Sequence, residues 1–471
     1  MTVNIKKLPK INKPAEASIW YIGTSVITKA ILLIFTPIFT RLLSPEKYGL
    51  HSLYVSWMGI LTVLTTPQTA GNAIYRGFSR FSDDKRGFAL EALKIQFVLT
   101  PISLALYMIF ANKINAILGL GKALTVLLLV QIFLNSIIGL YLTKERFSYH
   151  YKKVCTVNLI SGIAYPILSL LILMNKNHNG EARIQAQFAI SLATAIPLII
   201  IMLKEGGKSD GEKRKYVMKN MLCMLPHYLS LSVIAGSDKI TIGRMASSAM
   251  LGKYSIAHST GSMLSLITVG ISGAVIPWLN RKLKSGEENK VAKTLHFGMI
   301  LITELTLIFL CFIPEAFQFI GGQEYLGGLA AVYPIALSVP VSFLSGIHTG
   351  ALLHLEEQKT ITSCSVAGAA LCVVLQLLFV KHLGYTSAAI ATLISHSVLL
   401  MLYAVSYRHK CKKNLIFVNK YLLLLVFSGV FAMILYLSRS NPFLRGFLFL
   451  GLVLTFVFTA KKCKNLIFES D

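Results

Sequence analysis

Apolar stretches of about 20 residues recur along nearly the whole chain, each long enough to cross a bilayer at about 1.5 Å rise per residue. Fourteen such segments are predicted, near 18–40, 50–74, 88–111, 121–143, 154–174, 183–203, 221–243, 251–278, 294–315, 326–350, 361–381, 385–407, 417–437 and 443–460. Most connections between them are short. The longest, 204–220 (KEGGKSDGEKRKYVMKN), is basic and contains glycine, and it separates six segments from the next six. A last pair follows 408–413 and is expected to be peripheral, facing lipid on most sides. The pattern predicts an all-α polytopic membrane protein. Residues 1–203 form one six-helix lobe, 204–220 a linker, 221–407 a second six-helix lobe, and 408–471 a peripheral helix pair with a tail.

Composition agrees with this class: 54% of residues are hydrophobic, only 14% are charged, and the mean hydropathy is +0.64. The net charge of +26 is distributed with a period. With the N-terminus placed inside, 32 of the 46 Lys and Arg fall on inner segments and 11 on outer ones, while Lys29, Lys94 and Lys239 lie within spans. A miscounted span would invert this bias downstream. The distribution therefore predicts an even number of spans and both termini cytoplasmic in a multi-pass membrane protein. The first 17 residues are polar and basic with no signal-peptide pattern after them, so an uncleaved N-terminus is expected. Cations dealt out in small lots do not make the single basic face that nucleic acid requires.

Catalytic and metal chemistry have no foothold in the motifs. The seven cysteines show no Cys-x-x-Cys spacing, and Gly-x-Ser-x-Gly, His-Glu-x-x-His and Walker patterns are absent. Neither an enzyme nor a bound cofactor or metal is expected.

One pattern occurs twice. Arg41, Ser44, Gly49, Ser52 and Ser56 recur without a gap as Arg244, Ser247, Gly252, Ser255 and Ser259. A duplicated helix–loop–helix unit follows. Because six spans separate the copies, they share one orientation, which predicts two lobes related by a pseudo-two-fold axis along the membrane normal. The stretches that carry the repeat, RLLSPEKYG and DKITIGRMASSAMLGKYSIAHS, resemble the polysaccharide transporter (O-antigen flippase) branch of the multidrug/oligosaccharidyl-lipid/polysaccharide exporter superfamily. That resemblance implies a flippase that moves an undecaprenyl-diphosphate-linked oligosaccharide across the membrane by alternating access, driven by a proton or sodium gradient. Its implied partners are the lipid-linked oligosaccharide, membrane lipid and the coupling ion, with association with polysaccharide polymerase machinery left open.

The candidate site residues are the polar side chains inside spans. Lys29 stands midway along the first span, where a lysine costs about 2.5–3.5 kcal/mol. It either grips a diphosphate in a wet cleft or pairs within a bundle. Thr65, Gln68, Asn72, Tyr75 and Arg76 share one face of the second span, either lining a cavity with Arg76 on phosphate or bonding to neighbouring helices. Asp238 and Lys239 lie near the far end of the seventh span and point about 100° apart, so each needs another partner. Asp238 reads as an ion-coupling or gating carboxylate, or as half of a helix-end charge pair. Glu304, mid-span in the ninth segment, reads as an ion site or a protonated, hydrogen-bonded acid. Arg41 and Arg244 read as outer-end anchors rather than ligands. His258, His348 and His396 read as packed polar residues. A cation-coupled drug exporter of the same superfamily, a lipid II-type flippase and, less well, a membrane enzyme of polysaccharide assembly are the rival readings.

Overall fold

The computed structural model describes residues 13–66, 71–175, 180–208 and 210–468, which form helices joined by turns. In chain order the helices are α1 (Lys13–Leu42), α2 (Pro45–Thr65), α3 (Gly71–Arg80), α4 (Lys85–Leu118), α5 (Lys122–Phe147), α6 (Tyr151–Asn175), α7 (Ala182–Glu205), α8 (Gly211–Met245) and α9 (Ser248–Gly261). They continue as α10 (Ser265–Lys284), α11 (Glu288–Cys311), α12 (Ile313–Gly321), α13 (Leu329–His354), α14 (Gln358–Leu383), α15 (Thr386–Cys411), α16 (Val418–Leu437) and α17 (Pro442–Phe468).

Among the described residues, eleven helices are long and apolar enough to cross a membrane. The number is twelve if Ser248–Gly273 and Trp278–Lys284, bent by 42°, count as one span. This corrects the expected fourteen. Helices also occupy the two other expected positions, but both are too polar to qualify. The second is divided into α2, which carries His51, Ser52 and Ser56, and the separate α3. The seventh is the far part of α8, a 35-residue helix that starts among Glu212, Lys213, Arg214 and Lys215 and continues through Asp238 and Lys239.

The chain divides into two compact units, one within Met1–Phe35, Thr65–Asn177 and Ala182–Cys223, the other within Thr36–Leu64, His178–Glu181 and Met224–Asp471. The first unit is built on Phe78, Phe88, Ile137 and Val154, with Phe81 and Tyr216 packed edge and face around Phe88. Its basic connector is docked rather than loose. Lys213 Nζ donates to Asp84 Oδ2 at 2.5 Å, Arg214 Nε to Glu91 Oε2 at 3.1 Å and Arg80 to Glu212 at 3.0 Å. Glu91 is fully buried and also accepts from Lys94 at 3.0 Å, which accounts for one lysine inside a predicted span. A second knot joins Lys144 to Glu145 and Glu205, with Lys153 and His150 closing on Glu145.

In the second unit α13 runs through the core, its Leu344, Ile347 and Ala351 packed with Cys372 of α14 and with Leu400 and Tyr403 of α15. A buried cation helps fasten α17 to this unit. Arg445 of α17 donates to the Cys311 carbonyl at 2.6 Å and through both terminal nitrogens to Glu315. The guanidinium is 6% exposed, whereas Glu315 is 62% exposed. Glu315→Ala strands a largely buried charge and removes a charge-assisted pair, an expected loss of about 1.5–3 kcal/mol. A lowered thermal unfolding midpoint of the detergent-solubilised protein reads this out; an unchanged midpoint would show that α17 is held by packing alone.

Candidate functional site

The repeated turn closes on itself. Ser247 caps α9 by accepting from Met250 N at 3.1 Å, and Ser44 stands in the same relation to Lys47 N at 3.5 Å. Ser259 Oγ donates to the Ser255 carbonyl at 2.9 Å, as Ser56 Oγ does to that of Ser52 at 2.8 Å. The duplication inferred from residue types is thus a duplication of hydrogen bonds. The two copies also pack reciprocally. A Cβ at Gly49 would fall 2.0 Å from the Ser248 carbonyl oxygen, and one at Gly252 would fall 1.8 Å from that of Pro45. Since Pro45 and Ser248 are equivalent positions, the contact is a local two-fold. Only glycine allows two helix starts to approach this closely. Tyr325 Oη donates to the Leu43 carbonyl at 2.7 Å and Thr40 Oγ1 to that of Ile320 at 2.6 Å, pinning the end of α1 beside the seal. Arg41 lies exposed over the Phe319 ring at 5.8 Å, and Arg244 is also exposed.

About two turns inward from the end of α8 lies Asp238, 1% exposed. Tyr254 Oη donates to its Oδ2 at 2.6 Å, supplying the partner that the neighbouring Lys239 cannot. His258 of α9, its ring 6.3 Å from that of Tyr254, and His396 of α15 both lie within reach of its charge. On α14, Cys372 and Gln376 continue the polar cluster: Thr241 donates to Gln376 at 3.4 Å, and Gln376 Nε2 reaches Thr392 at 3.4 Å. The expectation that the histidines are merely packed residues missed this convergence. Four helices supply these groups, so sequence spacing holds no trace of it.

Glu304 does not share this cluster. It accepts from Thr459 of α17 at 3.3 Å, and its Oε2 is buried with no hydrogen-bond partner among the described residues. In the first unit, Lys29 is exposed in the middle of α1, and Arg76 is exposed on α3. Neither makes a hydrogen bond or ion pair with a described residue. Tyr75, 47% exposed, stacks edge-on against Phe147 at 5.3 Å. Of the predicted stripe, Thr65 is the last residue of α2, whereas Tyr75 and Arg76 lie on α3. Gln68 lies outside the described residues, as does the side chain of Asn72.

An apolar cavity of about 440 Å³ opens between α10, α11, α13 and α17. Ile271, Val275, Trp278, Leu295, Ile302 and Cys463 are among its lining residues. It is roomy enough for several isoprene units and has almost nothing to offer a charged headgroup.

Known proteins share this fold. The chain is 21% identical over 409 residues to the "Probable low-salt glycan biosynthesis flippase Agl15" of Haloferax volcanii, covering 83% of this chain and 82% of that one. The fold is similar to that of the lipid II flippase MurJ in an inward closed conformation. The TM-score is 0.68 at 14% identity, over 96% of this chain and 99% of the other. It is also similar to an inward-facing multidrug resistance MATE family transporter of the MOP superfamily, with a TM-score of 0.67 at 13% identity over 81% and 94% of the two chains. Residues 15–283, more than half the chain, match the polysaccharide biosynthesis protein family. The chain is therefore a member of the polysaccharide biosynthesis protein family, built on the MurJ- and MATE-like fold.

Proposed function

We propose that this protein is a flippase for a polyprenyl-diphosphate-linked oligosaccharide of surface-polysaccharide assembly. The observation that carries the reading is Lys29, a cation exposed midway along an apolar 30-residue helix with no protein counter-ion among the described residues. A charge in that position requires water or an anionic ligand beside it, and a diphosphate supplies one. Arg76, exposed at the connector end of the same unit, is suited to grip phosphate as a planar fork. The apolar cavity beside α17 suits the chain of a lipid carrier, and a relative named as a glycan flippase supports the substrate class.

In this reading the reciprocal glycine turns close the outer end of the path, and Asp238 beneath them is the coupling carboxylate. Glu304 fastens α17 through Thr459 instead. The Lys and Arg bias of the loops supports a connector in the cytoplasm and glycine turns outside. The test is reconstitution of the full chain in liposomes with a fluorescent undecaprenyl-diphosphate-linked oligosaccharide. Protein-dependent appearance of the label on the far leaflet is expected. Efflux of a cationic dye without movement of the lipid would favour the drug-exporter reading and overturn this one.

A further inference from the structure

In the first unit the buried carboxylate of Glu91 holds two cations that are themselves well exposed. Lys94 Nζ donates to its Oε1 at 3.0 Å and Arg214 Nε to its Oε2 at 3.1 Å. The Glu91 side chain is 0% exposed, whereas those of Lys94 and Arg214 are 44% and 57% exposed. Arg214 approaches through Nε, and neither of its terminal nitrogens bonds to a described residue, so the open edge of the guanidinium fork is turned to another acceptor. One negative charge thus faces two positive ones. The other ion pairs of the docked connector, Lys213 with Asp84 and Arg80 with Glu212, match charge for charge.

The surplus cation is held in place by rigid backbone. On one side of Arg214 the Lys213 side chain, 7% exposed, reaches Asp84, and on the other Tyr216 packs edge-on against Phe81, ring centroids 5.5 Å apart. Before α8 begins, Gly207 at φ +151° lies against the start of α4, where a Cβ would overlap the Gly87 backbone nitrogen. Only glycine takes that conformation readily. Lys94 stands one turn along α4 from Glu91, on the same face. Two helices therefore present their cations to either side of one carboxylate, and donors fixed beforehand lose little freedom when an anion arrives.

A buried carboxylate needs a counter-charge, and one cation supplies it. The second has a cost in an apolar helix that docking alone does not explain. A phosphate, with several acceptor oxygens, can bridge a planar guanidinium and a compact ammonium. By the rise per residue, Lys94 is about 14 Å from the start of α4 and Arg214 about 5 Å from the start of α8, at the connector end of this unit. Lys29, about 24 Å along α1, is a separate position.

We propose that Lys94 and Arg214, held by Glu91, form a binding site for the phosphate of a membrane lipid at the connector end of the first unit. The inference rests on the flippase reading only for the source of that phosphate, the diphosphate of the lipid-linked oligosaccharide, met here before Lys29. An anionic phospholipid headgroup offers the same chemistry.

The test is native mass spectrometry of the full-length protein in detergent, titrated with undecaprenyl diphosphate, with phosphatidylglycerol and with uncharged undecaprenol. A Lys29→Ala background removes the contribution of the other cation. In that background undecaprenyl diphosphate should be retained in preference to undecaprenol. Lys94→Gln and Arg214→Gln should each weaken its binding roughly tenfold, the loss of one charge-assisted contact, and leave undecaprenol unchanged. Each single variant leaves Glu91 one cation, so the thermal midpoint should stay near that of the parent, and Lys94→Arg should restore most of the binding. Unchanged retention in both variants overturns the site, as does failure of the Lys29→Ala parent to retain either phosphate lipid. Retention of phosphatidylglycerol alone, lost in both variants, supports the site and overturns the flippase reading as the source of its phosphate.

Discussion

Gly252→Val leaves the outer seal unable to close. The added Cβ would sit 1.8 Å from the Pro45 carbonyl oxygen, and both atoms are fixed by backbone, so no rotamer relieves the overlap. Overpacking costs about 1–3 kcal/mol when side chains can shift and more when backbone must move. A bias of about 3 kcal/mol changes a two-state balance roughly 150-fold. The expected phenotype is a protein present at normal level, open on the outside and inactive in translocation. Ser56, 7% exposed behind the seal, reports the state. Ser56→Cys should resist a membrane-impermeant thiol reagent in the wild-type background and react in the Gly252→Val background. Gly49→Val, its reciprocal, should behave alike. Continued protection of the cysteine together with normal translocation would show that the contact is packing without a gating role.

Lys29→Ala is the second variant with a large expected effect. No protein partner among the described residues is lost with the ammonium, and removing a charge from an apolar helix favours insertion. Protein level should hold or rise, while flipping of the diphosphate-linked oligosaccharide should fall by more than tenfold. Lys29→Arg should restore part of the activity, since it keeps the charge but changes its shape. A fully active Lys29→Ala would remove the diphosphate grip and with it the chief support for the substrate class. The two variants differ in kind. The glycine change shifts the balance of states, whereas the lysine change acts on the ligand and leaves Ser56 protected.

Much of the helical layout was legible because membrane insertion is decided locally. A run of about 20 apolar residues has few alternatives to a helix, and helices occur at every predicted position. The count was harder. The α2–α3 and α8 positions carry the polar residues that function or docking needs, and apolarity is the only quantity by which a sequence counts spans. The repeat was legible for a different reason: Arg41 to Ser56 and Arg244 to Ser259 keep identical residues at identical spacing because each serves one hydrogen bond or one close approach.

The site was only partly legible. Lys29 and Asp238 stood out because a charge within an apolar run is expensive wherever it points. The histidines did not. His227, His348, His396 and His258 come from four helices and are distant in sequence, and a single imidazole in a span has several harmless explanations. What gives His227 meaning is its contact with Ser365, and what gives His258 and His396 meaning is their place within reach of the Asp238 charge, which a linear pattern cannot express.

By itself, the sequence determined the membrane class, the placement of the helices, the duplicated glycine turn and the cost of each buried charge, because these follow from local composition and spacing. Only the tertiary structure decided that Gly49 and Gly252 interlock, that Asp238 is held by Tyr254, that Glu304 meets Thr459 of α17, and that His227 and Tyr403 converge on Ser365. Contacts between helices far apart in the chain depend on which faces meet, and side-chain periodicity gives a face without giving its neighbour.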